Sequence, residues 1–480
     1  MSFQRDLGLF DATMLVAGSM IGSGVFIVSA DIARTVGSPG MLLLVWVVTG
    51  ALTLIAALSY GELAGLLPQA GGQYVYLREA FGRMWGFLYG WTLFTVIQTG
   101  TIAAVAMAFA KHTALLIPSL GEGNVLLDFG FAIGSKPVTV NAAQVLAIGS
   151  ILLLTALNAR GVRLGKLIQN TFTSTKIISV VALAVTGILV GWASDAFTTN
   201  LGDLWTPQIV PPSASTAAPF LMIVAVAMVG SIFSSDAWNN ITFAAAEVKE
   251  PQKVIPRALF LGVVLVTVLY LLTNMAYLSV MPLGGIDTGS NAVERGIAYA
   301  TNDRVGAAAA EVMFGGTGAV IMAVLIMIST FGCNNGIILS GARAYYAMAK
   351  DKLFFRGAAE LNKGGVPARS LWMQALWASA LCLSGRYGDL LDYVVFAVLI
   401  FYVLTILGIF RLRRTRKDAA RPIRAFGYPI LPAVYIVAAL FICGSLLLLK
   451  PEYSFPGLII VAAGIPVFLI WDRRGRSTSV

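Results

Sequence analysis

The residues best suited to bind a small charged molecule lie at 18–24, inside an apolar stretch. Three of these seven residues are glycine and two are serine, and glycine costs a helix interior about 1 kcal/mol relative to alanine. We therefore expect the helix to unwind here, which membranes tolerate only where the backbone lines a cavity or is buried in protein. Free amides suit an anion and carbonyls suit a cation, so an amino acid would satisfy both ends. A kinked helix with a small-residue packing face is the alternative.

A second polar interruption lies at 229–240, where Gly, Ser, Asp and Asn residues stand inside another apolar segment. Paired interruptions five spans apart are typical of an inverted repeat of five plus five helices, with the ligand bound between the repeats. Coincidence between two kinked helices is the alternative. Asp236 within this run either pairs with a cationic group of the ligand or caps the following half-helix, and we favour capping.

Lys176 lies inside an apolar segment, about nine residues beyond its nearer end. This depth excludes snorkelling, and an intramembrane lysine costs several kcal/mol unless it is partnered. Lys176 is therefore a functional candidate, and proton transfer is one role open to it.

The other polar and sulfur-containing residues form no catalytic pattern. His112 is the single histidine, and the chain has no zinc-protease motif and no phosphate-binding loop with a lysine. The three cysteines at 333, 382 and 443 lie in apolar segments, where buried, unreactive thiols are expected. We therefore expect no enzyme activity, no metal and no cofactor.

The composition indicates a helical membrane protein with many spans. Of the 480 residues, 58% are hydrophobic and 12% are charged, and the mean hydropathy is +0.82. Hydropathy and turn residues predict 12 spans, at 9–34, 40–67, 84–117, 140–158, 167–192, 217–248, 256–280, 308–349, 371–384, 390–410, 430–449 and 455–471.

The basic residues predict the orientation of these spans. With both termini in the cytoplasm, 25 lysines and arginines fall on the cytoplasmic side and 7 on the other, and Lys176 lies within a span. This bias fits the preference of basic loops for the cytoplasm. The net charge of +10 thus reflects topology and contact with the anionic lipid bilayer rather than nucleic acid.

Short motifs recur across most of the chain. They comprise 18–26, 59–63 with Pro68, 71–77, Trp238 with Glu247, Pro251, Pro256 and Arg257, 329–336 with 341–343, and Arg421 with Pro422 and Pro429. In these residues and in their order the chain resembles the amino acid–polyamine–organocation superfamily, in particular its L-type amino acid transporters and their bacterial relatives. Together the motifs are specific, although each alone is weak.

The resemblance implies an all-α integral membrane protein with the LeuT-type fold. This fold has a 5+5 inverted repeat within 12 transmembrane helices, of which helices 1 and 6 are unwound at the midplane. We expect the first repeat at 1–193, the second at 217–411, and helices 11 and 12 outside the repeats at 429–472.

The resemblance also implies a substrate site. The carboxylate would meet the amides of Ser23 and Gly24, the amino group would meet carbonyls near Met20, Phe233 and Asp236, and the Phe233 ring would close over the substrate from outside. The expected substrate-binding residues are Met20, Ile21, Gly22, Ser23, Gly24, Phe233, Ser234, Asp236 and Asn334. Interhelical hydrogen bonding is the commoner role for a buried asparagine such as Asn334.

By the same resemblance, Lys176 would point toward helix 1, where sodium-coupled relatives hold a sodium ion. This position argues against sodium coupling. We favour a structural tether to the helix 1 break, with proton coupling as the alternative. Glu62 and Arg257 are expected in a cytoplasmic-side gate, and the alternative for both is a solvated charge at a helix end.

The implied function is sodium-independent secondary transport of amino acids by alternating access, with exchange of neutral amino acids favoured. A proton-coupled or cationic amino acid importer is the alternative, and an amino-acid-gated sensor or channel is a remote one. The segment 111–140 has no cysteine, so we expect no disulfide-linked heavy subunit. A bacterial inner membrane is the expected location.

Overall fold

The computed structural model describes residues 3–133, 136–209, 219–383 and 387–477 and is almost entirely helical. Two antiparallel strands, β1 (Val125–Ile133) and β2 (Lys136–Asn141), form a hairpin. The helices are α1 Leu9–Met20, α2 Ser29–Val36, α3 Pro39–Leu66, α4 Gln73–Phe81, α5 Arg83–Thr92, α6 Gln98–Leu116, α7 Ala142–Ala159, α8 Val162–Gly191, α9 Asp195–Gly202, α10 Phe220–Ser234, α11 Asn240–Phe243, α12 Pro251–Val280, α13 Ala292–Arg295, α14 Val305–Phe314, α15 Gly316–Lys350, α16 Ala368–Leu383, α17 Tyr387–Thr415, α18 Ile430–Leu449 and α19 Pro451–Ser477.

The membrane-spanning helices agree with the predicted all-α fold. Within the described ranges, nine helices are long and apolar enough to cross a membrane, counting α5 and α6 as one helix through a π turn at Leu93–Ile97. The predicted first and sixth spans are each divided, into α1 and α2 and into α10 and α11. The nine long helices, the two divided spans and α16 together make the 12 predicted crossings. Helices 1 and 6 are unwound as predicted.

Both ends of the described chain lie on one face of the molecule, called the terminal face below. Phe3 stacks edge-on against Tyr346 near the end of α15, and Asp472 of α19 pairs with Arg83 at the start of α5. The continuous helix from Arg83 to Leu116 then carries the chain to the other face, called the opposite face, where the β1–β2 hairpin follows.

Two details differ from the sequence prediction. The predicted span 308–349 is wrong at its start, because the chain turns at Gly315 and divides into α14 and α15. Gly315 has a left-handed φ of +67°, a conformation that glycine adopts without a steric cost. The segment at 111–140 contains the hairpin rather than a plain loop. The predicted boundaries at residues 217 and 384 lie outside the described residues.

Helix α12 is the centre of the packing around the divided helices, and it contacts α1, α3 and α8. Small residues allow these close approaches. A Cβ atom added to Gly262 of α12 would lie 2.4 Å from the Val16 side chain of α1, and one added to Gly50 of α3 would lie 2.2 Å from Thr267. Small residues at helix interfaces are typical of membrane proteins, where van der Waals packing replaces the hydrophobic effect between helices.

Candidate functional site

The break after α1 exposes backbone amides. The chain passes from Met20 through Gly22 and Ser23 into a short 3₁₀ turn at Gly24–Phe26, and α2 begins only at Ser29. Within the described residues, the amides of Gly22, Ser23 and Gly24 have no backbone acceptor. Ser23 and Gly24 are half-buried, whereas both flanking residues are buried. These two amides are therefore available to an anionic group such as a carboxylate.

The second break faces the first. Helix α10 ends at Ser234, and α11 begins at Asn240 after a turn in which Ala237 has a left-handed φ of +64°. A Cβ atom added to Gly24 would lie 2.0 Å from the Ser234 hydroxyl oxygen. The two breaks thus touch through Gly24, which only a residue without a side chain permits.

A tyrosine joins the carbonyl ends of the two half-helices. The Tyr270 hydroxyl on α12 lies 3.0 Å from the Met20 carbonyl oxygen and 3.0 Å from the Ser234 carbonyl oxygen. Because a phenol has one proton, it donates to one carbonyl at a time. Tyr270 therefore links the last turns of α1 and α10 through one shared proton.

Lys176 of α8 lies directly against the first break and is 1% exposed. Its Nζ donates to the carbonyl of Gly18 at 2.5 Å and to that of Ile21 at 2.8 Å. The Ser329 hydroxyl of α15 lies 3.2 Å from the Ile21 carbonyl oxygen and 3.0 Å from that of Gly22, and it donates its single proton to one of them at a time. A lysine ammonium thus occupies the position where exposed carbonyls could otherwise coordinate a metal cation.

Asp236 in the second break does not cap the following half-helix. Its Oδ1 accepts a hydrogen bond of 2.5 Å from the Tyr402 hydroxyl of α17. The N-cap of α11 is Asn239, which makes no side-chain cap hydrogen bond. The favoured capping interpretation is therefore wrong, because a tertiary contact with α17 holds the carboxylate instead.

Three other predicted ligands, Met20, Ile21 and Asn334, already make contacts within the protein. Met20 and Ile21 are buried, and their carbonyls already accept from Tyr270 and Lys176. The Asn334 amide donates to the carbonyl of Ile102 at 3.3 Å, away from the breaks. Its Oδ1 is buried without a partner in the described chain.

A cavity of about 490 Å³ reaches the first break from the opposite face. Ser23, Ile27 and Phe233 line its inner part, and Lys111 and Arg304, which lie at the opposite face, line its outer part. Asp236 instead lines a much smaller cavity of about 20 Å³ with Tyr402. The access route to Ser23 is therefore open toward the opposite face.

Ion pairs close the terminal face. The Glu62 carboxylate at the end of α3 accepts from Arg413 of α17 at 2.5 and 2.9 Å and from the Ala425 amide at 2.7 Å. Arg421 lies 3.4 Å from the same carboxylate. Glu62 is thus buried rather than solvated. Arg257 is exposed, and the described ion pairs do not join it to Glu62.

Further charge pairs tie α15 to neighbouring segments on this face. Arg343 of α15 pairs with Glu247 at 2.9 Å, and both side chains are almost fully buried. Asp351, just beyond α15, pairs with Arg78 of α4. Arg416 beyond α17 pairs with Glu79 of α4. These contacts hold α4, α15 and α17 together where a path to the terminal face would run.

Sequence reasoning missed three residues of this arrangement. Tyr270 and Tyr402 stand in apolar helices, where tyrosines are normally packing residues, so their sequence positions carry no signal for a site. Arg413 is one of seven basic residues at 411–424, and the sequence does not show which of these seven faces Glu62.

Comparison of the sequence with known proteins identifies the family of this chain. A family model described as amino acid permease matches residues 7–470. The serine/threonine exchanger SteT of Bacillus subtilis (strain 168) is 30% identical over 480 residues, covering 99% of this chain and 98% of SteT. The b(0,+)-type amino acid transporter 1 of Mus musculus is 28% identical, with 98% and 90% covered. The large neutral amino acids transporter small subunit 2 of Homo sapiens is 28% identical, with 100% and 83% covered.

The match extends over nearly the whole chain and includes both breaks, Lys176 and the ion pairs of the terminal face. It confirms the superfamily inferred from the motifs, and it agrees with the absence of a catalytic pattern in the sequence. The chain therefore belongs to the amino acid permease family, and it is a membrane transporter rather than an enzyme.

Proposed function

We propose that this chain exchanges neutral amino acids across a membrane by alternating access and without sodium. The observation that carries this proposal is the pair of free amides at Ser23 and Gly24, because Ser23 lines the inner end of a cavity that Phe233 also lines and that is open to one face. The amides would bind the substrate carboxylate, and the Phe233 ring would close over the bound substrate. Carbonyls of the second break near Phe233 would accept from the amino group.

The position of Lys176 supports the proposed independence from sodium. Its ammonium occupies two carbonyl oxygens of the first break, so a sodium ion there would meet a fixed positive charge a few ångströms away. The same contacts support the role of a tether between α8 and α1. Proton coupling would require these hydrogen bonds to break and form again in each cycle.

Neutral substrates are favoured over cationic ones because the only acid in the two breaks already has a partner. Asp236 is bonded to Tyr402 and lies outside the cavity that reaches Ser23. The names of the relatives, a serine/threonine exchanger and a large neutral amino acids transporter, support the same choice.

Several further assignments are part of the proposal. The inverted repeats occupy 1–193 and 217–411, and 429–472 lies outside them. The terminal face is cytoplasmic, since it carries most of the basic residues, and the membrane is a bacterial inner membrane. No disulfide-linked heavy subunit is expected, because the three cysteines are buried.

The test is uptake of labelled Ala, Ser, Leu, Phe, Arg and Lys into proteoliposomes, with sodium and pH gradients imposed separately. We expect uptake of neutral amino acids only when the vesicles contain an amino acid, and no response to either gradient. Uptake into empty vesicles driven by a pH gradient would instead establish a proton-coupled importer. Non-saturable flux without counterflow would indicate a channel.

A further inference from the structure

The segment just before α1 pairs with the chain between α11 and α12. Leu7 and Val248 form an isolated parallel β-bridge. The Leu7 amide donates to the Glu247 carbonyl at 3.0 Å, and the Lys249 amide donates to the Leu7 carbonyl at 2.9 Å. Leu7 is 3% exposed, and Val248 is fully buried. This pairing, called the clip below, joins the start of the first divided helix to the end of the second.

Helix α12, which follows the clip, holds the first divided helix at two further levels. At the break, the Tyr270 hydroxyl lies 3.0 Å from the Met20 carbonyl oxygen. Beyond the break, the Ser29 hydroxyl of α2 donates to the Asn274 side chain at 2.6 Å. The segment 247–280 therefore contacts α1 and α2 from the terminal face to beyond the break.

The start of α1 also contacts α8, through charged groups that are partly exposed to water. Arg163 lies 3.3 Å from Asp6, and its side chain is 85% exposed. Lys166 lies 3.0 Å from Asp11, which also accepts from Asn170 at 2.7 Å. Ion pairs that water reaches contribute little to stability, whereas buried backbone groups are costly to leave unpaired. The contacts with α8 are therefore easier to break than the clip.

The position of Lys176 shows where such a break would fall. The terminal face opens only if the buried pair of Glu247 and Arg343 separates, so the segment after α11 must move away from α15. Lys176 holds the first break against α8, about 15 Å along this helix from Lys166, since each helical residue adds about 1.5 Å. A unit that turns about the break keeps its contacts near Lys176 and loses those near Lys166.

We propose that the clip stays formed through the whole transport cycle, while the contacts of Asp6 and Asp11 with α8 break when the terminal face opens. The start of α1 and the segment after α11 then move as one unit. The inference rests on the proposed function, since it assumes alternating access. Leu7 is thus a positioning residue. It lies away from the substrate, and it keeps the amides of the first break aligned with the carbonyls of the second.

The experiment compares two cross-links in the full-length protein, reconstituted in proteoliposomes that exchange L-leucine or L-serine. Leu7→Cys with Val248→Cys is oxidised to a disulfide, which is feasible because paired strands lie about 4.8 Å apart. Asp6→Cys with Arg163→Cys is joined by a short bis-methanethiosulfonate reagent. We expect the linked clip pair to exchange within about twofold of its reduced form, and the linked Asp6–Arg163 pair to be at least about tenfold slower.

The reduced form of each double variant is its own control, because exchange there shows that the variant folds and that dithiothreitol reverses the link. The wild type receives the same oxidant and reagent, and its exchange should not change, since its three cysteines are buried. Mass spectrometry gives the linked fraction of each double variant.

Hydrogen–deuterium exchange tests the clip without cysteines. Glu62→Gln removes a partner of Arg413 and so favours opening of the terminal face. The amides of Leu7 and Lys249 should nevertheless stay as protected from deuterium in this variant as in the wild type, because the clip remains formed. Faster deuterium uptake at these two amides would overturn the proposal.

Each outcome of the cross-linking bears on the clip. Exchange that stops in the oxidised Leu7–Val248 pair and returns on reduction would show that the clip opens in every cycle, and would overturn the proposal. Full exchange by the linked Asp6–Arg163 pair would also overturn it, since this contact would then not need to break. Both results leave amino acid exchange itself standing. A wild type that exchanges no amino acid would overturn the proposed function and the clip's role together.

Discussion

Lys176 places a full positive charge inside the membrane without a carboxylate beside it in the described structure. The carbonyls of Gly18 and Ile21 supply the compensating negative potential, because they lie at the carbonyl end of α1, where the helix dipole is negative. The lysine therefore fixes the geometry of the break whose amides are free. Substrate binding and the stability of the break depend on the same side chain.

Replacing Lys176 with Met keeps an unbranched apolar side chain as far as the ε position and removes the ammonium. Hydrogen bonds to a charged group are worth about 1.5–3 kcal/mol each, so we expect a clearly lower melting temperature and an exchange rate reduced at least about tenfold. Arg163→Met, on the exposed side of the same helix, is the control and should change neither quantity. Exchange at the wild-type rate in Lys176→Met would show that Lys176 contributes only to packing.

Tyr270→Phe tests the bridge between the two breaks. Loss of one net hydrogen bond costs about 0.5–1.5 kcal/mol, and the carbonyls of Met20 and Ser234 lose their shared donor. We expect lower thermal stability and weaker amino acid binding. Tyr277→Phe is the control, since the Tyr277 hydroxyl makes a single longer contact of 3.3 Å with Val25. Equal effects of the two substitutions would show that the bridge has no special role.

At the residue scale, the sequence predicts those positions whose type is unusual for their setting. A lysine among apolar residues and a serine between glycines stand out, so Lys176 and Ser23 can be singled out in advance. Tyr270 and Tyr402 cannot, because their function arises from which helix faces which. Asp236 shows the same limit, since its type was informative but its partner on α17 was not visible in the sequence.

At the scale of elements, the two broken helices depend on a close contact between backbones. Gly24 lies so near Ser234 that an added methyl group would lie 2.0 Å from the serine hydroxyl oxygen and 2.8 Å from its Cβ. Substituting Gly24 therefore moves α10 as well as filling the space beside the amides. For this reason Ser23 is the better position for a variant that blocks binding alone.

Gly24→Ala should destabilise the protein by about 1–3 kcal/mol, as expected for an overpacked contact. Ser234→Gly removes the two nearest atoms and leaves the Ser234 Cα at 3.2 Å from the added methyl group. The double variant should recover part of the stability lost in Gly24→Ala, as measured by thermal unfolding and binding. Additive losses in the double variant would contradict a direct contact between the breaks.

Element boundaries were predictable where hydropathy changes and less so elsewhere. Both breaks were visible as polar runs in apolar segments. The division of the predicted eighth span at Gly315 was not predicted, although the glycine-rich run at 315–318 lies at the turn, because the long apolar segments on both sides favoured one continuous span. The β1–β2 hairpin was missed because its register depends on pairing between strands, which hydropathy does not report.

At the scale of the whole molecule, the structure is open toward one face and closed toward the other. A cavity leads from the opposite face to Ser23, whereas buried ion pairs around Glu62, Glu247 and Arg343 seal the terminal face. Alternating access requires such pairs to separate when the molecule opens the other way. Their strength then sets the balance between the two conformations.

Glu62→Gln should shift this balance. Removing one partner of a buried ion pair costs up to about 3–5 kcal/mol, and less here because Arg413 is partly exposed. We expect faster maleimide labelling of a reporter cysteine at Asn240, a buried residue that lines the small cavity beside Asp236. Glu360→Gln removes an exposed pair and should leave the labelling rate unchanged. A rate unaffected by Glu62→Gln would contradict the role of this pair in closure.

The large-scale arrangement was the most predictable part of the chain. The number of spans and the placement of both described ends on one face follow from hydropathy and from the distribution of basic residues. The partners within the closed face were not predictable, since many arginines near 411–424 could reach Glu62. The number of basic residues in a loop predicts which face the loop occupies, but it does not predict which side chains contact each other there.

The central claim is that amino acids bind at the first break and are exchanged without sodium. Counterflow tests it most directly, in sodium-free proteoliposomes loaded with unlabelled L-leucine or L-serine and exposed to the same labelled amino acid. The account predicts saturable uptake by the wild type and by Thr35→Leu, a hydroxyl replacement outside the cavity, and no uptake by folded Ser23→Leu. Wild-type uptake by Ser23→Leu, or a strict need for sodium, would contradict it.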